Sequence, residues 1–287
     1  MSKQTLLFCL GAAKAGTGWL QEYLRGHNAC YLRNLKELHY FDVLDGGGNA
    51  WHIKKLEERL TQSRKRLENH PDKENNTWLP VLIADLEAWL ELFDGHTADD
   101  AGYLAYLGMG REDATLVGDF TPAYAMLSKE MLAHMHGMSE NVKFIFLMRE
   151  PVDRLWSNIR MVAGKNNGKI IDTRVEKYLS DADPSLAERC DYGSTLDKLL
   201  EVIPRDNLHL EYYERLFTQE ALERVTAFLG IETKPARFER VVHKGRGREL
   251  EPLLRSVFQD KLKPQYNYIE NLMGGLPPEW TDRMVNA

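Results

Sequence analysis

Cysteine is scarce: Cys9, Cys30 and Cys190 are the only three in 287 residues, and their wide separation fits neither a disulfide framework nor a metal-ligand spacing. A reducing compartment follows, and Cys9, inside an apolar run, reads as a buried, inert thiol. Long hydrophobic runs are missing too. No stretch approaches the roughly 20 apolar residues of a membrane span, and the opening MSKQTLLFCLGAAK has too short an apolar run for a secretion signal. The expected location is therefore cytoplasmic. An excess of positive charge is also absent. With 37 Lys and Arg against 43 Asp and Glu the net charge is −6, so no global field draws the chain to nucleic acid or to an anionic membrane. Internal repeats and long low-complexity tracts are lacking as well.

What is present is a composition of 43% hydrophobic and 28% charged residues, enough to bury a large core in one domain, 1–287. Four short aliphatic and aromatic runs bounded by polar residues read as buried strands: Thr5–Leu10, Ala114–Val117, Lys143–Met148 and Leu208–Glu211. Cys30–Leu32 is a candidate fifth. Helical patterns separate them, the alternation of an α/β fold with a central parallel sheet flanked by helices. From roughly residue 50 to 110 the pattern changes to apolar residues at three- and four-residue spacing amid charge, broken at HPDKENNTWLP. This reads as a helical insertion, and Gly46-Gly47-Gly48 before it as a flexible loop that would let it move as a lid.

The stretch TLLFCLGAAKAGTGWLQEYL, residues 5–24, has strand, glycine loop and helix in order. Gly11 and Gly16 keep the spacing of a nucleotide phosphate loop, but the lysine sits inside it at Lys14, and Thr17-Gly18 replaces Lys-[Ser/Thr]. No later strand ends in the aspartate of a Walker-type site, since KFIFLM runs into Arg149. The loop suits an anion held without a metal; a tight turn with a solvated lysine is the plainer alternative.

In KFIFLMREPVDRLWSNIRM, residues 143–161, a strand delivers Arg149 to its carboxyl end, where ligands bind in open α/β sheets. Arg149 can contact a phosphate in bidentate fashion and Ser157, two turns into the next helix, can add a hydroxyl. Pairing of Arg149 with Glu150 or Asp153 is the structural alternative. In HKGRGREL, residues 243–250, Lys244, Arg246 and Arg248 among two glycines form either an anion-wrapping loop or a solvated basic turn.

Together these pieces resemble the sulfotransferases that use 3′-phosphoadenosine 5′-phosphosulfate (PAPS), particularly the heparan-sulfate-type branch and its bacterial relatives. Lys14, Gly16, Thr17 and Leu20 match that family's K-x-G-T-[TS]-x-L loop; Arg149, Glu150, Pro151, Arg154 and Ser157 match R-[DE]-P-x-x-R-x-x-S; Lys244, Gly245 and Arg246 match its K-G-R loop. KELHYFD, residues 36–42, is similar to K-E-x-H-[FY]-F-D, and FTPAY, residues 120–124, to K-[ST]-P-x-Y. The matches run in family order from Leu6 to about Gly274 and skip the insertion. Gly18 stands where the family usually has a second hydroxyl, and Phe120 where the heparan-sulfate enzymes carry a lysine, which argues against a highly acidic glycan as acceptor.

The resemblance implies a P-loop-like sulfotransferase fold and transfer from PAPS, with PAP as product and no metal, to a hydroxyl of a carbohydrate or small-molecule acceptor. Lys14 and the amides of Ala15, Gly16, Thr17, Gly18 and Trp19 would hold the 5′-phosphosulfate, and Arg149, Ser157, Lys244, Gly245 and Arg246 the nucleotide end. Glu37 would be the base, partly desolvated by Leu38, Tyr40 and Phe41. From its ordinary pKa alone His39 is the rival base. Lys36, His39 and Asp42 fall in the acceptor site, Lys36 alternatively as the ion-pair partner of Glu37. Asp119 reads as structural, and Trp19, Trp156, Tyr212 and Tyr213 read as core rings. Two other functions stay open: a divergent phosphate-loop NTPase or kinase, and a non-catalytic nucleotide-binding protein.

Overall fold

β1, Thr5–Gly11, is buried along its whole length, as its unbroken apolar sequence requires of a strand covered on both faces. It lies at the centre of a five-stranded parallel sheet of order β2-β3-β1-β4-β5, with β2 Cys30–Tyr31, β3 Leu116–Phe120, β4 Val142–Met148 and β5 Leu208–Tyr212. Leu6 pairs with Val117 on one side and with Val142 on the other. The computed structural model describes residues 4–47, 50–69, 78–93, 97–164, 168–238 and 248–285.

The chain leaves β1 through α1, Thr17–Arg25, toward β2 and β3 and, among the described residues, leaves β4 through four α-helices toward β5 on the opposite side. The switch point therefore lies between the carboxyl ends of β1 and β4, where open α/β sheets bind ligands. The expected strands are all present. The third is displaced, running to Phe120 instead of ending at Val117. Gly118 and Asp119 lie beyond the expected run, but both serve the strand: a Cβ at 118 would lie 2.4 Å from the Leu7 carbonyl oxygen, and Asp119 has three hydroxyl partners inside the fold.

A short helix, α2 Tyr40–Asp42, and a turn at Val43–Gly47 lead into the expected insertion: α3 Ala50–Asn69, α4 Trp78–Leu92 and α5 Asp100–Leu107. Its apolar face is continuous with the main core through Leu82, Leu86, Trp89 and Tyr103, and Tyr103 stacks on Tyr40 at 4.3 Å. Asp85 of α4 accepts from the Asn34 amide at 2.8 Å and pairs with Arg33 at 3.0 Å. The glycine stretch expected to act as a loose hinge begins tethered, because Asp45 accepts from the Ser128 amide (2.7 Å) and hydroxyl (2.6 Å); Gly48 lies outside the described residues.

The remaining helices are α6 Lys129–Gly137, α7 Pro151–Ala163, α8 Gly168–Leu179, α9 Pro184–Cys190, α10 Tyr192–Val202, α11 Gln219–Leu229, α12 Pro252–Met273 and α13 Pro278–Val285. Among the described residues no helix is long and apolar enough to cross a membrane.

Candidate active site

The loop after β1 is pinned to the neighbouring strand by the Ala12 amide, which donates to the Leu147 carbonyl at 2.7 Å. Lys14 and Gly16 take positive φ, 73° and 90°. Gly16 is required for space as well as for conformation, since a Cβ there would lie 2.9 Å from the Tyr213 ring and 3.1 Å from Leu216. α1 then starts at Thr17 with no side-chain cap, so its first-turn amides face an anion or water.

Two of the five expected loop amides have partners within the loop. Ala15 N–H donates to Ala12 O at 3.1 Å and Trp19 N–H to Gly16 O at 3.0 Å, because so tight a turn closes its own hydrogen bonds. Among the described residues the amides of Gly16, Thr17 and Gly18 have no backbone acceptor within the loop. The Trp19 side chain packs on Tyr23, Phe217 and Phe238, a core ring as read from sequence.

Arg149 stands at the end of β4 with Nη1 donating to the Lys14 carbonyl at 3.1 Å. Its guanidinium lies over the Tyr213 ring at 4.5 Å, and its Nε is buried without a partner. The Tyr192 hydroxyl clamps its backbone, 3.0 Å from the amide and 2.8 Å from the carbonyl. The alternative of an Arg149–Glu150 pair is not what forms. Glu150 caps α7 by accepting from the Asp153 amide at 2.6 Å and accepts from the Tyr266 hydroxyl, while Asp153 is 4.0 Å from Arg149 and pairs with Arg255 and Arg283. Ser157 is half-buried on α7. Arg154, also a motif residue, is structural: it is buried, with Nη2 2.6 Å from Cys190 Sγ.

Burial pushes the Lys14 pKa below its ordinary value; Arg149 and Arg160 push it the same way and Glu37 opposes them. Its ammonium lies 3.5 Å from Met161 Sδ. Arg160, likewise held below its ordinary pKa by burial and Arg149, was missed in the sequence, although it follows Ser157 by three residues on a helix. Lys244, Gly245 and Arg246 lie outside the described residues; Arg248 beside them pairs with Asp172 and Glu251. A separate cavity of about 520 Å³ between α8 and α9, lined by Lys169, Arg174 and Asp183 among others, contains none of the expected site residues.

The 36–42 segment is hung from β3 and the turn after it. Leu38 N–H donates to Thr121 Oγ1 at 3.0 Å and Tyr40 N–H to Tyr124 Oη at 3.0 Å. Both hydroxyls donate in turn to Asp119, at 2.8 and 2.7 Å, as does Tyr103 at 2.9 Å. Asp119 is thus structural, as expected. Glu37 and His39 take positive φ, 56° and 57°, and the kinks separate their side chains from the buried Leu38, Tyr40 and Phe41. This overturns the expected desolvation of Glu37, whose side chain is 58% exposed. Lys36 is not its partner either: Nζ pairs with Glu22 at 3.2 Å and sits 3.9 Å from where a Cβ on Gly18 would be. An ammonium thus stands beside the position where the family's second hydroxyl is missing.

His39 Nδ1 lies 2.8 Å from Asp42 Oδ2 and its Nε2 3.9 Å from Glu37 Oε2. Burial alone would lower the His39 pKa, but Asp42, then Glu37 and Asp119, outweigh it and raise it. The insertion adds two residues that no motif announced. His52 of α3 stacks on His39 at 4.0 Å. Arg59, seven residues and so about two helical turns further along α3, feels Glu37 and is held below its ordinary pKa by burial.

This arrangement can bind an anion with backbone amides and three cations, and accept a proton at an exposed carboxylate next to them. The chain belongs to the sulfotransferase family, whose model (Sulfotransferase family) matches residues 7–235, and is thereby a transferase. Its fold is similar to that of a sulfotransferase from Alicyclobacillus acidocaldarius, with TM-score 0.63 and 18% identity over 96% of this chain and 98% of that one. It is also similar to the sulfotransferase domain of the Synechococcus PCC 7002 olefin synthase, with TM-score 0.54 and 18% identity over 96% and 97%. No curated relative matches.

Proposed function

We propose that the chain moves the sulfuryl group of PAPS to a hydroxyl of a carbohydrate or small-molecule acceptor, with no metal in the transfer. The observation that carries this reading is that Arg149, with an orphaned Nε, is bonded at 3.1 Å to the carbonyl of Lys14 in the loop that opens an uncapped helix N-terminus. The residues present fit the donor: free loop amides suit a 5′-phosphosulfate, and the orphaned Arg149 Nε suits a further phosphate oxygen.

PAPS supplies, when bound, a sulfuryl group on a phosphate leaving group, and the chain has to bind, orient and move one proton. The amides of Gly16, Thr17 and Gly18 and the Lys14 ammonium hold the 5′ end, and Lys14 offsets charge developing on the leaving oxygen. Arg149 and Ser157 take the 3′-phosphate. Lys244, Gly245 and Arg246 belong to the same proposal by family likeness. Glu37 accepts the proton of the attacking hydroxyl. A second reading makes His39 the base, favoured by its 2.8 Å bond to Asp42, which fixes the ring. A reducing, cytoplasmic setting belongs to the same proposal and rests on the few, widely separated cysteines of the sequence.

Incubation with PAPS carrying radiolabelled sulfate and a panel of hydroxylated acceptors tests the proposal. Label transferred to an acceptor supports it, and retention of transfer in Glu37→Gln with loss in His39→Ala moves the base to His39. Tight PAP binding with no transfer to any acceptor would make the chain a non-catalytic binder, and phosphoryl transfer from MgATP would make it a kinase.

A further inference from the structure

A single imidazole and carboxylate suffice to orient a hydroxyl, yet a second imidazole is packed against the first. His39 and Asp42 come from the acceptor segment, whereas His52 comes from the insertion. His52 Nε2 lies 3.9 Å from the same Asp42 Oδ2 that accepts from His39 at 2.8 Å, and one donor atom from each of the three residues lies within 4.8 Å of the others. The other carboxylate oxygen, Asp42 Oδ1, is buried with no hydrogen-bond partner. The three side chains are 19–20% exposed, shielded from bulk water but open to a small ion.

We propose that His39, Asp42 and His52 form a binding site for a transition-metal dication of the zinc class, bridging the acceptor segment and α3. Two imidazole nitrogens and one carboxylate are a donor set such ions accept, and three protein ligands leave a fourth position open. Around a tetrahedral ion with bonds of about 2.0–2.1 Å, ligand atoms stand about 3.3 Å apart. That lies between the 2.8 and 3.9 Å separations from Asp42 Oδ2 already present; the two imidazoles, stacked with centroids 4.0 Å apart and planes at 27°, turn out of that stack for both nitrogens to face one ion. Magnesium, which prefers an octahedron of oxygens and keeps its waters, is a poor match. The site is distinct from the metal of an NTPase, because it lies on the acceptor side and not at the phosphate loop. Its consequence is inhibition: the ion takes His39 and Asp42 away from the acceptor, fastens α3 to the segment, and places its charge beside Glu37, whose Oε2 is 3.9 Å from His39 Nε2.

Calorimetric titration of the metal-stripped, untagged full chain with zinc chloride and with magnesium chloride tests this, together with the visible spectrum of the cobalt(II) complex. Saturable one-to-one zinc binding in the micromolar range is expected, with no magnesium binding and with cobalt bands of nitrogen and oxygen coordination. His52→Ala and His52→Gln should each weaken zinc at least tenfold and abolish the cobalt bands while the chain melts cooperatively. Absence of saturable zinc binding, or unchanged affinity in both variants, overturns the site; should both variants misfold, a wild-type cobalt spectrum without nitrogen ligation does so. PAP affinity is measured in the same samples. Its loss beside intact zinc binding would count against the transferase proposal alone, and the reverse against the metal site alone.

Discussion

The donor side and the acceptor side of the candidate site are built by different means. Lys14, Gly16 and Arg149 stand at the ends of β1 and β4, strands buried almost throughout, and the loop is fixed by backbone bonds such as Ala12 to Leu147. Glu37 and His39 lie outside any strand, on a segment suspended by two amide-to-hydroxyl bonds from the Asp119 network and flanked by α3. Backbone geometry therefore sets the proposed donor site and side-chain packing the proposed acceptor site. Mutations on the first should change nucleotide affinity, and mutations on the second should change turnover.

The largest effect on this division belongs to the suspension point. Asp119→Ala leaves the hydroxyls of Tyr103, Thr121 and Tyr124 without their common acceptor. Each buried orphan costs about 1–3 kcal/mol, so a loss of roughly 3–5 kcal/mol in denaturant unfolding is expected; a loss under about 1 kcal/mol would mean the segment is held by something else. Next, Glu37→Gln should lower turnover by a factor of about 10² or more while PAP affinity stays within about twofold, and unchanged turnover would remove Glu37 as base. Arg149→Ala should weaken PAP binding by roughly 2–3 kcal/mol through loss of a charge-assisted contact, read by calorimetry; unaltered affinity would misplace the second anion site. On the acceptor side Arg59→Ala should change turnover a few-fold, about 0.5–1 kcal/mol for a partly solvated charge, with PAP affinity unmoved. A pH titration gives the smallest signal. The Lys14 pKa lies below the ordinary lysine value because of burial, so PAP affinity should decline as pH rises through it, before 10.5, and Lys14→Met should remove that decline.

The same division explains what could be read from residues alone. The proposed donor side needs particular residue types at fixed spacing: Gly16 because only glycine fits against Tyr213 at positive φ, Arg149 because a strand would have to end where the proposed phosphate lies. Those requirements leave a motif. The strand runs were legible because full burial demands unbroken apolar sequence, and the insertion because helices on a core are amphipathic. Where the sequence misled, a local pattern was overruled by tertiary packing. Gly118 and Asp119 looked like a strand end until Leu7 and three hydroxyls claimed them. Tyr40 and Phe41 looked like a lining for Glu37, but the kinks at Glu37 and His39 turn them into the core. His52 and Arg59 were invisible because a polar residue on an amphipathic helix reads as solvated until its neighbour across the fold is known.

The most direct measurement is calorimetric titration of the purified chain with PAP and, separately, with ATP, each with and without Mg²⁺. The account predicts tight PAP binding that Mg²⁺ does not alter and weak ATP binding, because amides and fixed cations, Lys14 and Arg149 foremost, replace the metal. Tight ATP binding that requires Mg²⁺, with PAP bound weakly or not at all, would contradict it and make the loop after β1 a divergent NTPase site.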